Sequence, residues 1–116
     1  IGPYSQAVLS GNMLFISGQI AINPATGELV DDSLEAEARQ VMKNLQAILA
    51  AANMDFGHVV KTTIFLRDMA MFAAVNAVYG SYLVPGKFPA RETVAVLGLP
   101  KDVRVEISMI AVKGEI

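Results

Sequence analysis

The chain is 116 residues long, 53% hydrophobic and only 17% charged, with nine basic and eleven acidic side chains and a net charge of -2. That is one domain's worth of chain, too apolar for a disordered segment, and its scattered Lys and Arg offer no basic stripe to a nucleic-acid backbone. Without cysteine there can be no disulfide framework, thiolate metal site or cysteine nucleophile, and the lone His58 cannot build a multi-histidine metal site, so cofactor-free chemistry or no chemistry remains. No apolar run approaches the ~20 residues of a membrane span, because Gly, Pro or charge interrupts each one. So apolar a small chain predicts a buried subunit interface.

In chain order, Ser5–Leu9 and Met13–Ser17 flank Ser10-Gly11-Asn12, a cluster of turn formers, and read as a hairpin. A second turn, Asn23 to Glu28, returns the chain into a third strand at Leu29-Val30. Helical period follows: Leu34, Ala38, Val41, Leu45, Ile48, Leu49 and Ala52 recur at spacings of three and four, predicting a helix from about Ser33 to Ala52. Asp32 with Glu35 resembles a capping box, and Asn53 is a left-handed stop.

Val59 to Leu66 is rich in β-branched residues and alternates Val60, Thr62, Ile64 and Leu66 against Val59, Lys61, Thr63 and Phe65, which predicts a strand. A second helix carries Phe72, Val75, Val78, Tyr79 and Tyr82, with Asp68 near its start and Pro85-Gly86 beyond its end. Strands at Thr93–Leu97 and Val103–Val112 close the chain around the turn Leu99 to Asp102. Residues 1–116 show no repeat or compositional break and read as one unit: a mixed sheet with two helices on one face, an α+β domain. The other sheet face then needs a cover that the chain itself does not supply.

Arg91 follows the proline-fixed approach Phe88-Pro89-Ala90, just ahead of a strand. Its plain reading is a surface arginine; the sharper one is an anchor for a small carboxylate, because a guanidinium donates two parallel hydrogen bonds. Glu106 shares its strand face with Ile110 and Val112, so it is either a solvent-facing residue or a general base that orients water. Tyr4 after Gly2-Pro3, and Ser17-Gly18 at a strand end, read as core aromatic and ordinary turn, or as a phenol and exposed N–H groups lining a site. His58 reads as a loop histidine, and the methionines as core or interface filler.

Ile1-Gly2-Pro3-Tyr4-Ser5-Gln6-Ala7, Phe15–Ile20 (with Ser17-Gly18-Gln19), Val59-Val60-Lys61-Thr62-Thr63, Val75-Asn76-Ala77-Val78-Tyr79, Phe88-Pro89-Ala90-Arg91 and Leu99-Pro100-Lys101 together resemble the Rid family (YjgF/YER057c/UK114), in order along nearly the whole chain. The resemblance implies a chorismate-mutase-like (bacillary type) fold assembled as a homotrimeric barrel with clefts between subunits, in a cytoplasmic protein. A short segment is expected to precede Gly2. It also implies hydrolysis of 2-imino acids and their enamine tautomers (2-iminobutanoate, 2-iminopropanoate) to 2-oxo acids and ammonia, with no metal or cofactor and no nucleic-acid or membrane partner. It carries over Arg91 as the carboxylate-binding residue and Glu106 as the acid that positions water, with Tyr4, Ser17, Gly18, Asn76 and Thr93 around the substrate. Thr93 stands where the archetypal deaminases often have cysteine, and the connection Leu83–Lys87 is about one residue longer than in several members. The alternatives are a non-enzymatic carboxylate-binding or chaperone-like trimer and, against the acidic balance, an endoribonuclease or translation inhibitor.

Overall fold

In a computed structural model, residues 2–114 are described; Ile1, which opens the first family block, lies outside them, as do residues 115–116. The hairpin forms from β1 (Ala7–Ser10) and β2 (Met13–Gln19), joined by a two-residue turn in which Gly11 takes φ +61°, a conformation that glycine adopts without strain. The turn after β2 closes through Asn23, whose N–H donates to the Glu28 carbonyl. Leu29 makes only an isolated bridge to Ile22, so the expected third strand does not form. Val30 instead donates its N–H to the Ala21 carbonyl and the chain turns away toward the first helix.

That helix, α1 (Leu34–Ala51), is capped by Ser33, whose hydroxyl accepts from the Ala36 N–H; the expected Asp32 cap is off by one, because two adjacent residues both suit the role. Asn53 at φ 59° ends it as anticipated. β3 (Val59–Leu66) follows a short 3-10 turn in which the His58 ring nitrogen Nδ1 accepts from the Asp55 N–H, a local structural role. A second 3-10 turn, capped by Asp68, leads into α2 (Phe72–Ser81). β4 spans Ala90–Ala95, three residues ahead of the expected start, and β5 spans Val105–Val112, two residues behind it. Arg91 therefore lies within a strand.

The strands form one mixed sheet in the order β1-β2-β5-β3-β4, antiparallel except for the β3–β4 pair, which α2 connects. Both helices cover the same face. Leu14, Ile16, Ile64, Leu66, Val105, Ile107 and Met109 are buried there against Val41, Met42, Leu45 and Leu49 of α1 and Val75 and Val78 of α2. The final strand alternates as expected, its odd positions buried and its even positions half-buried. In β3 the phase differs at the start: an irregularity between Val59 and Lys61 sends Val59 into the core and leaves Val60 outside. The opposite face carries Val8, Phe15, Phe65, Val94 and Ile110, with Phe15 and Val94 each more than 40% exposed (41% and 43%), and no element of the described chain covers it.

One buried charge locks the entry to β5. Glu37 of α1 is 1% exposed, and its carboxylate accepts from the Arg104 backbone N–H at 2.8 Å and from Nε at 2.7 Å, while the same guanidinium donates to the Asp31 carbonyl. Removing the carboxylate orphans a buried N–H and an arginine that is only one-third exposed. Glu37→Ala is expected to destabilise the fold by about 3 kcal/mol, and Glu37→Gln by less, because an amide oxygen still accepts; urea denaturation at fixed chain concentration checks both.

Candidate functional site

Arg91 faces Thr62 of β3 in the parallel register and points to the helix-covered side, at the open edge of the sheet. Three residues of α2 receive it. Asn76 Oδ1 accepts from its NH1 at 2.5 Å, and its guanidinium carbon lies 5.4 Å from the Phe72 ring centroid and 5.5 Å from that of Tyr79. Spacings of four and three put Phe72, Asn76 and Tyr79 on one helix face. A cavity of about 470 Å³ opens beside them, with Leu83, Phe88 and Pro89 as its apolar walls. Burial pushes the Tyr79 phenol up from its ordinary pKa, while a hydrogen bond to Thr62 and the Arg91 charge pull it partly back.

Thr93 lies two residues along β4 from Arg91 and therefore on the same face. Its buried hydroxyl has no hydrogen-bond partner in the described chain. Such a group costs free energy unless something satisfies it, and it sits beside Arg91.

Glu106 belongs to a second cluster. It projects from β5 on the bare face, against Gly18 at an irregularity in β2. A Cβ at position 18 would sit 2.1 Å from Glu106 Oε2 and 2.7 Å from Cδ, so the glycine is there because the carboxylate occupies the space of a side chain. Burial raises the Glu106 pKa above the ordinary carboxylate value. The Ser17 hydroxyl donates to the Ser5 carbonyl at 2.6 Å, and the Ser17 N–H donates to that of Gln6. Together they tie the N-terminal segment, with its exposed Tyr4, to β2; Tyr4 and Gly18 then line a cavity of about 340 Å³ with Gln19 and Asn44.

The two clusters do not meet within one chain. Arg91 pairs with Thr62 and Thr62 with Met109, and Met109 is three residues from Glu106, which places the arginine and the glutamate on opposite sheet faces. Asn76 and Thr93 join Arg91; Ser17 and Gly18 lie on the side of Glu106, while Tyr4 lines a cavity with Asn44, Ala47 and Ile48 of α1. Sequence reasoning had placed Phe72 and Tyr79 in an apolar stripe and missed their contact with Arg91, although Asn76 within that stripe was the available signal.

Fold and geometry define a class: small α+β proteins whose mixed sheet carries two helices on one face and leaves the other bare. The family described as Endoribonuclease L-PSP matches residues 1–113. DfrA of Myxococcus xanthus is 55% identical over 114 residues, covering 97% of this chain and 86% of its own length. The 2-iminobutanoate/2-iminopropanoate deaminase of Escherichia coli K12 is 50% identical over 115 residues, with 97% and 89% covered. The solved structure of YyfA, a Rid-family protein of unknown function from Yersinia pestis, superposes with a TM-score of 0.93 at 47% identity, covering 97% of this chain and 89% of that one. The chain belongs to this L-PSP family, also known as the YjgF or Rid family.

The raised Glu106 pKa has a stability consequence. The folded chain holds this proton more tightly than the unfolded chain does, so the associated stability is present below the unfolded pKa and lost as pH rises through the raised folded value. Glu106→Gln removes that dependence. Relative to the variant, the wild-type protein is expected to lose stability as pH rises above the ordinary carboxylate range, read from urea midpoints at one chain concentration.

Proposed function

We propose that the protein hydrolyses 2-imino acids, including 2-iminobutanoate and 2-iminopropanoate, to 2-oxo acids and ammonia, in clefts between the subunits of a homotrimer. The observation that carries this reading is the presentation of Arg91. Asn76 takes one of its N–H groups and two rings hold its plane, which leaves the rest of the donor fork for a carboxylate beside an open cavity. The family relationship supports the reaction class, since relatives near 50% identity bear the deaminase name.

With the carboxylate fixed, the adjacent C=N carbon is aimed at one place, and a water held there needs only modest activation. Glu106 is suited to the task because burial raises its pKa above the ordinary carboxylate value, which makes its ionised form a stronger base toward water. As the water oxygen bonds to C2, its proton passes to the Glu106 carboxylate while the C=N π electrons move to nitrogen, and the carboxyl returns that proton to the nitrogen, giving a carbinolamine. The hydroxyl proton then passes by the same carboxylate to the amino nitrogen as the C–N bond breaks, so nitrogen departs as ammonia and the C=O of the 2-oxo acid forms. The unpartnered Thr93 hydroxyl lies on the Arg91 side, within reach of a role in binding the same substrate.

Opposite-face placement of Arg91 and Glu106 within one chain supports the intersubunit arrangement: Arg91, Asn76 and Thr93 come from one subunit and Ser17, Gly18 and Glu106 from its neighbour, with Tyr4 at the rim. The bare apolar sheet face around Phe15 and Ile110 supports a trimeric, chorismate-mutase-like barrel with these faces turned inward.

When the protein is added to an amino-acid oxidase or a threonine dehydratase, less imine is expected to be trapped by semicarbazide, and Arg91→Ala is expected to abolish the effect; undiminished trapping at high protein concentration overturns the proposal. Arg91→Ala and Glu106→Gln chains, refolded together, are expected to regain activity at about a quarter of their sites, since random assembly joins an intact arginine to an intact glutamate that often. No recovery overturns the shared site.

A further inference from the structure

Thr62 and Tyr79 are buried polar residues that the proposed reaction does not use. Thr62 is fully buried on a β3 face otherwise lined by Ile64 and Leu66, and Tyr79 is 4% exposed. The Tyr79 hydroxyl donates to Thr62 Oγ1 at 3.0 Å. Valine and phenylalanine would fill the same space with no polar atoms to satisfy, so packing alone does not account for the pair. What the hydrogen bond adds is orientation. It pins the phenol ring to the sheet position directly beside Arg91, and that ring is one of the two over which the guanidinium lies.

We propose that Tyr79 is a positioning residue for Arg91, with Thr62 as its anchor. The ring fixes the plane of the guanidinium from below while Asn76 fixes its rotation by accepting one N–H, so the fork meets a carboxylate already aligned. A ring free to tilt leaves the charge in place but not its direction. A bidentate contact depends on direction, whereas a point charge does not. This inference rests on the reading of Arg91 as the carboxylate anchor.

The test uses the full chain in three forms: wild type, Tyr79→Leu, and the double variant Tyr79→Phe with Thr62→Val, which keeps the packed volume and removes both polar groups together. Two readouts are taken, steady-state imine hydrolysis and calorimetric binding of 2-oxobutanoate, with the melting temperature as a control for folding. The double variant is expected to melt near the wild-type temperature while KM and the 2-oxobutanoate Kd rise about three- to tenfold and kcat changes little, the pattern of a lost binding contribution. Tyr79→Leu, which removes the ring as well, is expected to raise both constants further. Wild-type protein that binds 2-oxobutanoate with a Kd unchanged in the double variant overturns the positioning role alone. Wild-type protein that neither turns over imine nor binds the probe overturns the anchor reading, and this inference with it.

Discussion

The two-residue pleat of the β-sheet constrains everything else in this protein. Both helices lie on one face, so each strand must send alternate residues into the core and the rest to a face the chain leaves bare. The candidate site residues are divided by the same alternation. Arg91 falls on the helix side, where α2 can hold it, and Glu106 falls on the bare side, between Gly18 of β2 and its cross-strand partner Phe65 of β3. A one-residue shift of β5 would bury the glutamate and expel Ile107 and Met109, so the position of the carboxylate and the integrity of the core are fixed together.

Two local devices hold that register. At the entry of β5 the buried Glu37 carboxylate grips both the backbone and the side chain of Arg104, two residues before Glu106. Beside Glu106 itself, Gly18 clears the volume the carboxylate occupies. The first is strong because it is dry, and the second specific because it is steric. Burial of the glutamate follows from the close approach of β2, and the upward pKa shift follows from burial.

Much of this was legible in the sequence, and the failures have physical causes. Long periodic segments declared themselves: α1 through its apolar stripe, and β5 through strict alternation. Gly11 and Asn53 marked their turns because each occupies a left-handed conformation. Leu29-Val30 looked like a strand, but one bridge was all that its short return allowed. β4 was placed late because an edge strand carries little alternation to mark its start, and the irregularity after Val59 shifted the phase of β3 in a way no pattern of residue types records. Arg91 and Glu106 stood out as candidates, yet their separation onto opposite faces emerges only when register is counted across three strands. Phe72 and Tyr79 were hidden because an aromatic that packs and an aromatic that supports a cation look alike in sequence.

The strand order carries a consequence for how the molecule is made. β5 follows the other described strands and helices in the chain and lies at the centre of the sheet, between β2 and β3. Until it is synthesised and inserted, both of those strands have an unpaired edge, and the nascent protein consists of two separate pieces of sheet with their apolar faces open. The β3–α2–β4 piece is contiguous and can close early, whereas joining it to the hairpin must await β5 and the long loop closure it entails. A break in the chain before Val105 would therefore remove a keystone. A cut that removed β1 would take only an edge.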